Sequence, residues 1–291
     1  MYAGESAGGD ERSAPPPERL RIVAVTSLVC RRIAKRRWQL VGLLTALAVA
    51  APALAAVVEQ GRLRIMVSAQ LKPYKLPRAG TGPIAVFLAA HVGSTDGSTP
   101  PQLRSMDVKL NRHGRLDIAG LPACRLEQLQ PSSSDQALQR CGPALVGSGH
   151  FWASIVLPEQ GTYHTTGRLL AFNGRQAGRP VLFANIYTTV PFLSSFVVTF
   201  RIRHLARGPY GTELSASLPQ ALGDWGFVDR IKMTMRRRYR YRGALHSYLN
   251  AGCPAPQGTR AAVFPFALAT LDFSGDQQLR ALVVRPCGVS G

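Results

Sequence analysis

After about position 57 the chain alternates apolar and polar residues in short runs, each bounded by Gly, Pro, Asn or Asp. Successive side chains of a strand point to opposite faces, so a period of two marks half-buried β-structure. The runs predict strands near 62–71, 84–92, 103–111, 144–157, 163–172, 180–189, 193–205, 210–218, 226–242, 244–250, 262–273 and 278–286. Turn residues separate them at Ser94 to Pro101, Asn111-Arg112-His113-Gly114, Asn173-Gly174 and Ser274-Gly275-Asp276. Many strands at close spacing predict an all-β fold, a two-sheet antiparallel β-sandwich over 57–291. Two β subdomains meeting near 120–143 are the alternative reading.

One stretch breaks the pattern. Pro131 is followed by the N-cap candidates Ser132, Ser133, Ser134 and Asp135, and Ala137, Leu138 and Cys141 lie at helical spacing. These residues predict a short helical insertion near 125–141.

The N-terminus follows other rules. Residues 1–30 carry no strand period and begin with a Gly/Pro/charge-rich stretch, which reads as a disordered or mis-started extension. Over 31–56 the order is a basic cluster (Arg31, Arg32, Lys35, Arg36, Arg37), an apolar run, Pro52, then Ala53-Leu54-Ala55. A basic flank, apolar stretch and small-residue site make a signal peptide. An uncleaved membrane anchor is the competing reading, since about 20 apolar residues span a bilayer. Both place the remainder outside the membrane, with membrane contact through this segment if it is retained.

Composition sharpens this picture. With 46% apolar and 18% charged residues, the chain of 291 residues can build a core and is not intrinsically disordered. Past position 56 four cysteines remain: Cys124, Cys141, Cys253 and Cys287. An even count in an exported chain reads as two disulfides, and proximity favours Cys124 with Cys141 and Cys253 with Cys287. Without C-x-x-C or a nearby His spacing, no metal site is implied.

Catalytic and cofactor motifs are missing. The chain has no G-x-S-x-G elbow, no H-E-x-x-H, no phosphate loop and no dinucleotide fingerprint, so no cofactor is expected. Ser148 and His150 share a strand face without an identifiable carboxylate. A glycosidase carboxylate pair is defined by separation in space, and an exported, carbohydrate-active hydrolase with such a pair is the alternative function. Asp96, Asp135, Asp224 and Asp276 sit in turn or cap contexts, which explains them without catalysis.

The formal charge is +19, and 27 basic residues face 12 acidic ones past position 56. Seven of those cations fall in RIKMTMRRRYRYR, Arg230 to Arg242. Read as one strand, it exposes Arg230, Lys232, Thr234, Arg236, Arg238, Arg240 and Arg242 on one face and turns Ile231, Met233, Met235, Tyr239 and Tyr241 inward, with Arg237 interrupting. A neighbouring strand would add Arg201 and Arg203. The plainer explanation is that arginines keep an exposed strand from pairing edge to edge. The functional one is a platform for an anionic partner: an envelope polymer, acidic polysaccharide or lipid headgroups. Export makes nucleic acid the less natural ligand. Two aromatic residues are candidate platforms, Trp152 on the polar face of its strand and Trp225 in a Gly-rich turn. A second layer covering Trp152 is the plainer reading of that residue.

The stretches LPRAGTGPI, TDGSTPPQLRS, NRHGRLDIAGLPAC, LLAFNGR, YGTELSASLP and SYLNAGCPAP resemble a group of uncharacterised exported proteins of actinobacteria. The likeness runs from about Leu71 to Cys287. It implies export and β-structure, and it supplies no catalytic residues. The sequence thus points to a non-catalytic, basic β-protein of the cell envelope.

Overall fold

The computed structural model describes residues 55–156, 159, 161–190, 193–218 and 226–290. Trp225, Asp224 and the segment before Ala55 lie outside them. The described chain is mostly strand. From its start come β1 (Ala56–Gln60), β2 (Leu63–Lys72), β3 (Lys75–Leu76), β4 (Gly82–Pro83), β5 (Ala85–Ser94), β6 (Leu103–Asn111) and β7 (Gly114–Leu116). Two helices follow, α1 (Leu126–Leu129) and α2 (Ser134–Cys141). Next are β8 (Leu145–Val156), β9 (Thr162–Gln176), β10 (Arg179–Thr188), β11 (Ser194–His204) and β12 (Tyr210–Ser217). The chain ends with β13 (Gly226–Met235), β14 (Arg238–Tyr241), β15 (Ala244–Ser247), β16 (Leu249–Ala251), β17 (Ala261–Phe273) and β18 (Gln277–Val289).

Where a sandwich would have two hydrogen-bonded sheets, the ladders run through one 13-stranded sheet, in the order β1-β2-β5-β13-β8-β9-β10-β11-β12-β6-β17-β18-β3. Small sheets β14-β15 and β4-β16-β7 complete it. Two long-range insertions join what local hairpins would leave separate: β13 lies between β5 and β8, and β6 lies between β12 and β17. Twisted sheets of this width curl. Here the curl brings β1 and β2 against β18. One apolar cluster therefore runs from Leu63, Ile65 and Val67 of β2 to Leu279, Ala281 and Val283 of β18.

The helical insertion packs on the outside. Leu129, Ala137 and Cys141 bury against Leu170, Phe172, Val181 and Phe183 of β9 and β10. Ser133 caps α2, accepting from Gln136 N at 3.3 Å while the Gln136 side chain accepts from Ser133 N at 3.0 Å. Disulfides join Cys124 to Cys141 and Cys253 to Cys287, closing intervals of 17 and 34 residues.

The expected turn at Asn173-Gly174 lies inside β9 instead. The chain reverses at Ala177-Gly178, both at positive φ (48° and 75°). Asn173 has a different task. Its side chain donates to Pro122 O at 2.9 Å, and its carbonyl accepts from Cys124 N at 2.9 Å, which fastens the insertion to the sheet.

Candidate anion-binding surface

The basic segment Arg230 to Arg242 is not one strand. After Met235 the backbone leaves the main sheet: Arg236 N donates to Val146 O at 3.0 Å and Arg237 O accepts from Tyr248 N at 2.8 Å. The half-buried Arg237 donates to Pro143 O at 3.2 Å. The chain then forms the separate hairpin β14-β15. Alternation nevertheless survives the break. Arg230, Lys232, Arg236, Arg238, Arg240 and Arg242 are exposed, while Ile231, Met233, Met235, Tyr239 and Tyr241 are half-buried; Thr234, expected on the exposed face, is half-buried as well.

Arg201 and Arg203 are not neighbours of this segment, because β11 lies four strands from β13 in the sheet order. Arg201 is exposed. The Arg203 guanidinium is paired with the buried Glu213, which Lys109 also approaches at 3.5 Å. Arg203 therefore neutralises a buried carboxylate.

The hairpin is held from one side. Tyr239 stacks on His246 with ring centroids 5.5 Å apart, and Tyr241 meets His246 edge-on at 5.8 Å. Nδ1–H of His246 donates to Asp117 Oδ2 at 3.0 Å, and Tyr239 Oη donates to Asp117 O at 3.2 Å. Tyr241 lies over Gly120, whose φ of 71° and contact with the ring both exclude a Cβ. Burial pushes the Asp117 carboxyl up. Hydrogen bonds from His246 and Ala119 N, with the charges of His246 and Arg115, outweigh burial and hold it below its ordinary value. On the opposite face Arg238 and Arg240 project beside the exposed Leu245.

The first half of the segment meets Trp152. In the register of β13 with β8, Arg230 stands opposite Trp152 and Lys232 opposite His150. The Arg230 guanidinium lies 5.7 Å and the Lys232 ammonium 5.9 Å from the Trp152 ring centroid. Trp152 is half-buried and, among the described residues, joins none of the apolar clusters; the His150 ring lies 6.3 Å from it. Cation–ring contacts stabilise by about 0.5–1 kcal/mol when exposed. Gly149, between His150 and Ser148, lies so close to Lys232 O that no Cβ fits.

On the same face Ser154 Oγ donates to Asp229 Oδ2 at 2.7 Å and lies 3.1 Å from Nδ1 of His164. With its one proton on Asp229, Ser154 accepts from Nδ1–H of His164. Sequence reading missed this trio because its members come from three strands. In a hydrolytic triad the serine donates to the histidine and the acid orients the histidine; here the serine donates to Asp229, so the order of bonds is not that of a triad. Ser148 and His150 border an open groove of about 350 Å³ with Arg168, Lys232 and Thr234. A second groove of similar size lies at Thr99, Gln102, Phe227 and Ser274. Neither is lined by a carboxylate.

Several further carboxylates have structural partners. Asp96 accepts from Ser98 N and Oγ in its own turn, Asp135 pairs with Arg168 at 2.9 Å, and Asp272 accepts from Ser105 at 2.6 Å. Asp276 occupies a positive-φ turn. Among the described residues no cluster of His, Cys, Asp or Glu could hold a metal, and no helix is long and apolar enough to cross a membrane. Comparison with family models, curated protein sequences and solved structures finds no match.

Proposed function

We propose that this chain is a non-catalytic, disulfide-stabilised β-protein that acts outside the cell membrane by binding polyanions of the envelope. The observation that carries this reading is the state of the basic segment. Six of its seven cations are exposed, and among the described residues none of the six is in an ion pair. Keeping so many like charges together opposes folding by self-repulsion, and an anionic partner relieves it. Edge protection does not explain Arg230 and Lys232, because β13 is an interior strand paired on both sides. Two disulfides suit an oxidising compartment, which supports export together with the basic and apolar N-terminal sequence. The resemblance to exported actinobacterial proteins points the same way.

The test is retention of the full chain on heparin and teichoic-acid resins. Retention is expected to fall with rising salt and to drop when Arg236, Arg238 and Arg240 are replaced by Ser. Retention that the triple variant leaves unchanged overturns the reading.

A further inference from the structure

The face built by β13, β8 and β9 carries more than charge. It rests on the polyanion reading above and makes it specific: we propose that Trp152 and its neighbours form a subsite for an acidic sugar residue of a polysaccharide.

Three kinds of group meet there. Trp152 supplies a half-buried aromatic ring that joins none of the apolar clusters among the described residues. Arg230 and Lys232 supply positive charge at 5.7 and 5.9 Å from that ring. Two positions along β8, Ser154 is fixed between Asp229 and His164, a set that both donates and accepts hydrogen bonds. A pyranose acid has the matching features. Its C–H face stacks on the indole, its hydroxyls exchange hydrogen bonds with Asp229 and His164, and its carboxylate or sulfate meets Lys232 or Arg230.

Asp229 decides against a bare phosphate polymer. A carboxylate held by Ser154, two positions from Trp152 on its strand, repels a continuous anionic backbone, whereas it accepts hydrogen bonds from sugar hydroxyls. The groups sit on adjacent paired strands and not on loops, so they are held in place before a ligand arrives.

The experiment compares binding of the full chain to polygalacturonate, neutral dextran, polyphosphate and single-stranded DNA by affinity electrophoresis. Trp152→Ala is expected to weaken polygalacturonate binding about ten-fold with polyphosphate binding little changed, whereas Lys232→Gln, which removes a cation, is expected to weaken both. Replacing Arg236, Arg238 and Arg240 by Ser is expected to weaken both. An equal loss of polyphosphate binding in Trp152→Ala, retention on dextran matching that on polygalacturonate, or a DNA affinity that depends most on Trp152 each overturn the subsite. If the unaltered chain binds no polyanion, the broader reading fails first. A second measurement does not depend on how well the alanine variant folds. In a Trp38→Phe, Trp225→Phe background the remaining tryptophan emission comes from Trp152, and galacturonate oligomers are expected to change it; a flat titration sinks the proposal.

Discussion

Single residues divide between those whose role follows from the strand period and those set by distant partners. The exposure of Arg236, Arg238 and Arg240 follows from alternation alone. Asp117 is the opposite case. Its partner His246 is 129 residues away, and only the tertiary fold brings the two to 3.0 Å. The sign of its pH effect follows from the lowered carboxyl. An Asp whose folded value is depressed stabilises the protein above the ordinary carboxylate range, and this contribution is lost as pH falls from about 4 through the folded value. Thermal unfolding should therefore show a larger drop in Tm between pH 5 and pH 3 in the unaltered protein than in Asp117→Asn; equal drops would show that the clasp contributes nothing.

At the scale of elements, twelve strand runs read from the pattern correspond closely to observed strands, with two exceptions of one kind. The runs 226–242 and 244–250 are each cut in two. Both cuts occur where backbone groups change partner, at Arg236-Arg237 and at Tyr248, and a period of two carries no information about partners. Asn173-Gly174 shows the same limit, since a strong turn signal was overridden by the bonds of Asn173 to Pro122 and Cys124. Short strands escaped notice as well: Ala56–Gln60 falls at the edge of the targeting segment, and Lys75–Leu76 is too short to show a period. The union of β8 with β13 depends on Gly149, whose missing Cβ admits Lys232 O and the Met233 Cα. Gly149→Ala should cost about 1–3 kcal/mol in denaturant unfolding, as overpacking does elsewhere. No measurable loss would mean that the strands do not approach this closely.

For the whole molecule, the decisive feature is which distant strands pair. Arg230 faces His91 across β13 and β5, and Leu110 of β6 stands between Thr212 and Ala267. Ladders between residues this far apart in the chain must close large loops before they gain contacts. With disulfides intact, refolding followed by fluorescence should fall in or beyond the roughly millisecond-to-second range; completion within microseconds would contradict this topology. The same pairing distributes the charge. It sends Arg230 and Lys232 to the Trp152 face and Arg238 and Arg240 to the β14-β15 hairpin, while Arg203 is committed to Glu213.

The sequence by itself determined the β class, most strand limits, the short helical insertion, and which cations face outward, because these depend on neighbours within a few residues. Tertiary structure alone decided that the strands join in one curled sheet, that the basic run splits between two sheets, and that Ser154, His164 and Asp229 meet. The reason is physical: alternation specifies the face on which a side chain lies, and the choice of hydrogen-bonding partner strand rests on the summed fit of many distant contacts.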